Sequence, residues 1–142
     1  MSFDRRGLFG RMFMGGAALQ AAAPTVTPAP LFTPDLGKLE PRLVDGGKEF
    51  HLTAEVVTAE IAPSRKVIGW GYNGSAPGPT LEVNEGDRVR MVFRNHLPEP
   101  TAVHWHGFEV RHTQDGSVGL GQDPTQPGGT HIYEFTLNQT NT

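Results

Sequence analysis

Apolar and polar side chains alternate along several stretches of this chain with a period of two, the mark of a strand that buries one face. Over residues 50–61, Phe50, Leu52, Ala54 and Val56 alternate with His51, Thr53, Glu55 and Val57, which predicts a long half-buried strand. A second strand is expected over 66–72, closing on the turn pair Asn73-Gly74. Residues 80–83 and 88–93 read as strands on either side of the polar turn 84–87, with Leu81, Val83, Val89, Met91 and Phe93 forming one apolar face. Met91 is therefore read as core rather than as a soft metal ligand, and Arg88, Arg90 and Arg94 as the solvated face. Pro77 and Pro79 cannot join a regular ladder, so 75–79 must be a shaped crossing. A last strand is expected over 130–137. Between 111 and 129 periodicity is lost, and a loop of that length in a small domain points to function.

The densest strand signal lies in residues 101–107, Thr-Ala-Val-His-Trp-His-Gly, between a proline-bounded turn and a glycine. On a strand, His104 and His106 share one face while Val103 and Trp105 share the other, and the two histidine Cβ atoms lie roughly 6–7 Å apart. Such a pair can grip one metal ion or serve two neighbouring ions; the competing reading is two ordinary surface or hydrogen-bonded histidines. His51, His96, His112 and His131 have no partner at strand or helix spacing and are read as surface residues.

Composition narrows the class. The 142 residues suit one domain, and 18 glycines with 12 prolines favour a turn-rich all-β architecture. A net charge of −3 offers no basic surface to nucleic acid or an anionic membrane. Cysteine is absent, which removes disulfides, thiolate metal sites and a blue-copper centre. Arg5-Arg6, the weakly apolar run 12–18 and Ala21-Ala22-Ala23 have the shape of a twin-arginine signal peptide over 1–23, implying a periplasmic or secreted protein. No later stretch reaches the ~20 apolar residues of a membrane span. Residues 24–47, rich in proline, read as a linker or strap, and 48–142 as the compact domain.

The His104-Trp105-His106-Gly107 element does not stand alone. Upstream are Tyr72-Asn73-Gly74, Pro77-Gly78-Pro79-Thr80, Gly86-Asp87-Arg88-Val89, Asn95 and Leu97; downstream are Asp115-Gly116, Gln122, Pro127-Gly128-Gly129 and Tyr133-Glu134-Phe135. In this order they resemble the N-terminal plastocyanin-like domain of the laccase-like multicopper oxidases. The resemblance implies a Greek-key β-sandwich or barrel of the cupredoxin type. It also implies copper as cofactor, in a trinuclear cluster held by four His-x-His pairs, with His104 on the type 2 copper and His106 on a type 3 copper. Asp115 matches an acidic residue that delivers protons to reduced dioxygen in relatives, while its residue type and position equally fit a turn-forming aspartate. Implied partners are the remaining cupredoxin domains or a homo-oligomer, with dioxygen and a reducing substrate, a phenol or a metal ion. The second His-x-His pair and the type 1 copper ligands do not occur in these residues. The chain is therefore read as an N-terminal portion truncated before that second pair, inactive alone, with an open sheet edge. A non-enzymatic copper-binding or carrier module, and a structural β domain that binds nothing, stand as alternatives.

Overall fold

In a computed structural model of the chain, which describes residues 36–140, five strands form one open sheet, four of them from the alternating stretches. These are β1 (Arg42–Val44), β2 (Gly47–Ala62), β3 (Arg65–Tyr72), β4 (Arg88–Asn95) and β5 (Thr130–Thr136). The order is β1-β2-β4-β5, with β3 paired to β2. The expected signal segment 1–23 lies outside the described residues. No helix among the described residues is long and apolar enough to cross a membrane.

β2 organises the sheet because it is long enough to serve three partners. Its first half runs parallel to β4, from Lys48 opposite Val89 to Ala54 opposite Asn95. Its second half forms an antiparallel hairpin with β3, and its first residues pair with β1. The β1–β2 turn places Asp45 and Gly46 at φ 48° and 73°, the left-handed pair that suits the twist of a two-residue hairpin. Between its β1 and β3 pairings, the outer edge of β2 is closed by a side chain. The Asn73 amide accepts from Thr53 N–H at 2.7 Å and donates to the His51 carbonyl at 3.0 Å, as a neighbouring peptide group would.

The core collects on one sheet face: Phe50, Leu52 and Ala54 from β2, Val89, Met91 and Phe93 from β4, and Tyr133 from β5, with Leu97 and Val103. Leu81 and Val83 pack against this cluster, and Met91 is fully buried, as the alternation predicts. The phase of β2 departs from expectation past Ala54. Val57 is buried and Val56 is exposed, because the β2–β3 hairpin leaves the core there and Val57 turns onto Gly71.

Three further expectations change. Residues 80–83 carry no ladder; instead Leu39 N–H donates to the Thr80 carbonyl at 2.9 Å and Thr80 N–H to the Gly37 carbonyl at 2.8 Å. Part of the proline-rich segment is thus bound to the domain, to Thr80 through these bonds and to β2 through β1. His51 is not a free surface histidine: its ring sits between Glu49 at 2.7 Å and Arg94 at 3.3 Å. An arginine can only donate, so Nδ1 accepts from Arg94 and Nε2 carries the proton shared with Glu49. Arg90 joins the same charged face, bridging Glu49 and Glu134 at 2.6 and 2.9 Å.

His131 is the third correction. Its ring lies 4.5 Å from that of Tyr133, its Nε2 is buried without a hydrogen-bond partner among the described residues, and burial lowers its pKa from the ordinary 6.5. The unfolded chain therefore binds this proton more readily than the folded one. Stability should decline as pH falls through about 6.5, above the range where carboxylates titrate. Urea midpoints at pH 7.5 and 5.5 should show this loss, and His131→Phe should shrink it; an equal loss in the variant would remove His131 as the cause.

Candidate metal centre

The segment carrying both candidate histidines leaves the buried end of β4. Fully buried Asn95 donates through Nδ2 to the Glu99 and Thr125 carbonyls, both at 2.8 Å, and accepts from Leu97 N–H at 2.9 Å. Thr101 and Thr125 then exchange backbone hydrogen bonds at 3.0 and 2.8 Å, binding the segment to the long loop that follows it.

From there the chain does not form the ladder-paired strand expected over 101–107, and His106-Gly107 form a turn in which Phe108 N–H donates to the Trp105 carbonyl at 3.1 Å. Its hydrogen bonds come from elsewhere. Val103 N–H donates to the Tyr133 hydroxyl at 2.9 Å, and Trp105 N–H to the Asp115 carbonyl at 3.2 Å. The Gln139 amide accepts from Glu109 N–H and donates to the Gly107 carbonyl at 2.8 Å, another side chain in the place of a strand neighbour. The alternation of faces survives without the ladder. Val103 is buried, and Trp105 packs among Tyr133, Phe135 and Phe108 at 5.3 to 6.4 Å between ring centroids. His104 and His106 point outward, their ring centroids 5.9 Å apart and their planes at 83°.

The loop 111–129 folds against this segment. A single 3-10 turn, His112–Gln114, leads into Asp115 and Gly116. Gly116 is buried under the backbone of Val103 and His104 and adopts φ 81°, so the Asp-Gly pair is needed for close approach as well as for turning. That approach delivers Asp115 to His104. The Asp115 carbonyl lies 2.8 Å from His104 Nδ1, and its carboxylate 3.3 Å from the same nitrogen. A carbonyl only accepts, so Nδ1 carries the proton and the Nε2 lone pair is left for a metal. The Ser117 hydroxyl donates to the Asp115 carboxylate and holds it in place.

This donor set fits copper as far as it goes. Two imidazoles stand side by side, one with its tautomer set by a carbonyl and a carboxylate in the manner usual for metal-binding histidines. Among the described residues no group of three or more His, Cys, Asp or Glu is placed to hold a metal ion. His96 and His112 are exposed and stay outside the pair, as does His131. The supporting roles of Gln139, Tyr133 and Ser117 were not visible in the sequence, because each depends on where the chain returns rather than on local spacing.

The profile of the multicopper oxidase family matches residues 53–142. The chain belongs to the multicopper oxidases. Copper is the cofactor of this family, and the all-β cupredoxin-type fold agrees with it. Copper resistance protein A of Pseudomonas syringae pv. tomato is 36% identical over 96 residues, which cover 68% of this chain and 16% of that protein. Multicopper oxidase VdtB of Byssochlamys spectabilis is 47% identical over 93 residues, covering 61% of this chain and 13% of that protein. Among solved structures, the multicopper oxidase of Campylobacter jejuni, described as a metallo-oxidase, superposes with a TM-score of 0.64 and 33% identity, over 73% of this chain and 22% of that one. This multicopper oxidase chain thus spans about a sixth or less of the length of these two curated relatives.

Proposed function

We propose that this chain supplies one His-x-His pair to a trinuclear copper cluster, His104 to the type 2 copper and His106 to a type 3 copper. The observation that carries the reading is the outward-facing pair itself, with His104 Nδ1 held by the Asp115 carbonyl at 2.8 Å and Nε2 left as a ligand. Bound copper supplies the one-electron chemistry that couples oxidation of a donor to reduction of dioxygen to water. The chain's own residues bind and orient: Asp115 and Gly116 set the ring of His104, and the buried Val103 and half-buried Trp105 anchor the segment between the rings. The Asp115 carboxylate, partly exposed and held by Ser117, is assigned the delivery of protons toward the cluster.

The rest of the cluster comes from further cupredoxin domains, so the isolated chain is expected to lack oxidase activity. The donor is a phenol or a metal ion, the classes that the family resemblance implies; the Campylobacter jejuni neighbour is itself described as a metallo-oxidase. Export to the periplasm or beyond through the twin-arginine segment belongs to the same reading. A copper-carrier role is the second reading, favoured by the exposure of His104, at 49% of its side chain.

Copper titration tests the site. Wild-type chain should bind copper tightly with a nitrogen-coordinated electron paramagnetic resonance signal, and His104→Ala with His106→Ala should abolish both. Asp115→Asn keeps the backbone carbonyl but loses the carboxylate, and should weaken binding about tenfold. Binding untouched by the double change would remove the pair from the account, and oxidase turnover by the chain alone would overturn its dependence on other domains.

A further inference from the structure

We propose that the Tyr133 hydroxyl, held by Gln122, is a positioning group for His104, so that the loop 111–129 sets this histidine from two sides at once. Resting on the reading of His104 as a copper ligand, this adds a second support to it. Asp115 orients the ring, and Tyr133 places the backbone from which the ring projects.

Tyr133 is fully buried and meets the residues on either side of His104. Its hydroxyl accepts from Val103 N–H at 2.9 Å, and its ring meets the Trp105 indole edge-on, with centroids 5.5 Å apart. His104 is thus carried between two residues anchored on one internal side chain. On the loop side, the Asp115 carbonyl accepts from Trp105 N–H at 3.2 Å and from His104 Nδ1 at 2.8 Å.

Gln122 joins the two supports. Its Nε2 donates to the Tyr133 hydroxyl at 3.2 Å. A bridge to Val118, with Gly119 N–H donating to the Gln122 carbonyl at 3.1 Å, fixes Gln122 in the same loop as Asp115. A phenol oxygen carries two lone pairs and accepts both donors. Its removal orphans Val103 N–H, on a buried residue, together with the Gln122 amide. Residues 103–104 must then move to find another acceptor, and His104 Nδ1 leaves its place against Asp115. Phenylalanine keeps the ring packing and lacks only this oxygen, so Tyr133→Phe isolates the hydroxyl.

Proton–nitrogen NMR of the imidazoles in the metal-free chain reads the His104 tautomer directly, with urea midpoints and copper titration on the same variants. Wild-type chain should show one His104 tautomer, with the proton on Nδ1. Tyr133→Phe should average the two tautomers and weaken copper binding about tenfold, under conditions where the variant is fully folded. Gln122→Met leaves the Val103 bond in place and should produce the same change to a smaller extent. Val57→Ala is the control for lost stability alone, since Val57 is buried on Gly71 outside the core cluster that holds Tyr133. It should keep the wild-type spectrum. A wild-type spectrum in Tyr133→Phe, or an averaged one in Val57→Ala, would overturn the proposal and leave Tyr133 as core alone. A wild-type chain without the Nδ1–H form would overturn it as well. If that form is present and is lost in Tyr133→Phe while no copper is taken up, the copper reading falls and the positioning stands.

Discussion

Gly116→Ala should destabilise the chain by about 3 kcal/mol or more and disperse the candidate metal centre. Two costs add at this position. Gly116 has φ 81°, a conformation that strains any side chain. An added Cβ would also overlap the Val103 carbonyl group and lie 2.8 Å from His104 Cα, and backbone cannot swing aside as a flexible side chain can. Gly119 separates the two costs within the same loop. It has φ 83° with nothing within 4 Å of a new Cβ, so Gly119→Ala should show only the conformational term, about 1 kcal/mol. Urea unfolding of both variants, with copper titration, measures the difference. Relief of the overlap would push the 115–117 loop away from His104, so copper affinity should fall in Gly116→Ala and hold in Gly119→Ala. Equal midpoints for the two variants would mean that the close packing of the loop on residues 103–104 is not what Gly116 provides.

Asn95→Ala is the second large effect, expected at about 3 kcal/mol. The Asn95 side chain is fully buried and makes three hydrogen bonds, to the carbonyls of Glu99 and Thr125 and from Leu97 N–H. Truncation leaves the buried Leu97 N–H and the Glu99 carbonyl without this partner, while the Thr125 carbonyl keeps only its bond from Thr101 N–H, and removing one side of a buried bond costs more than the bond itself contributes. Asn95→Asp discriminates a hydrogen-bond role from simple volume. A carboxylate keeps nearly the same size and can still accept from Leu97 N–H, but it would face two carbonyls with negative charge. It should therefore be at least as destabilising as alanine at neutral pH. If Asn95→Asp retains the wild-type midpoint, the amide donors are not what joins the end of β4 to the two loops.

Both predictions concern residues whose type was visible in the sequence but whose weight was not. Asn95 and Asp115-Gly116 stood out only as parts of a family pattern. Their roles come from contacts across 30 residues in one case, Asn95 to Thr125, and 11 in the other, His104 to Asp115. The strands β2, β3, β4 and β5 were legible because each has a strong period-two pattern bounded by turn residues, a local property. β1 escaped notice, since three exposed residues in a proline-rich stretch carry no alternation.

The sequence by itself determined the class of structure and the pairing of chemistry: an all-β domain, no thiolate, and two imidazoles on one face with Val103 and Trp105 on the other. The alternation of covered and exposed residues held over 103–106 even where the expected ladder did not form. The tertiary structure decided the rest. It replaced that ladder with the Tyr133 hydroxyl, the Asp115 carbonyl and the Gln139 amide, covered Nε2 of the half-buried His131 and set its ring against Tyr133, and tied His51 into a charged network. It also chose the His104 tautomer. Those outcomes depend on which groups distant in sequence arrive within hydrogen-bond reach, and a one-dimensional pattern carries no record of that distance.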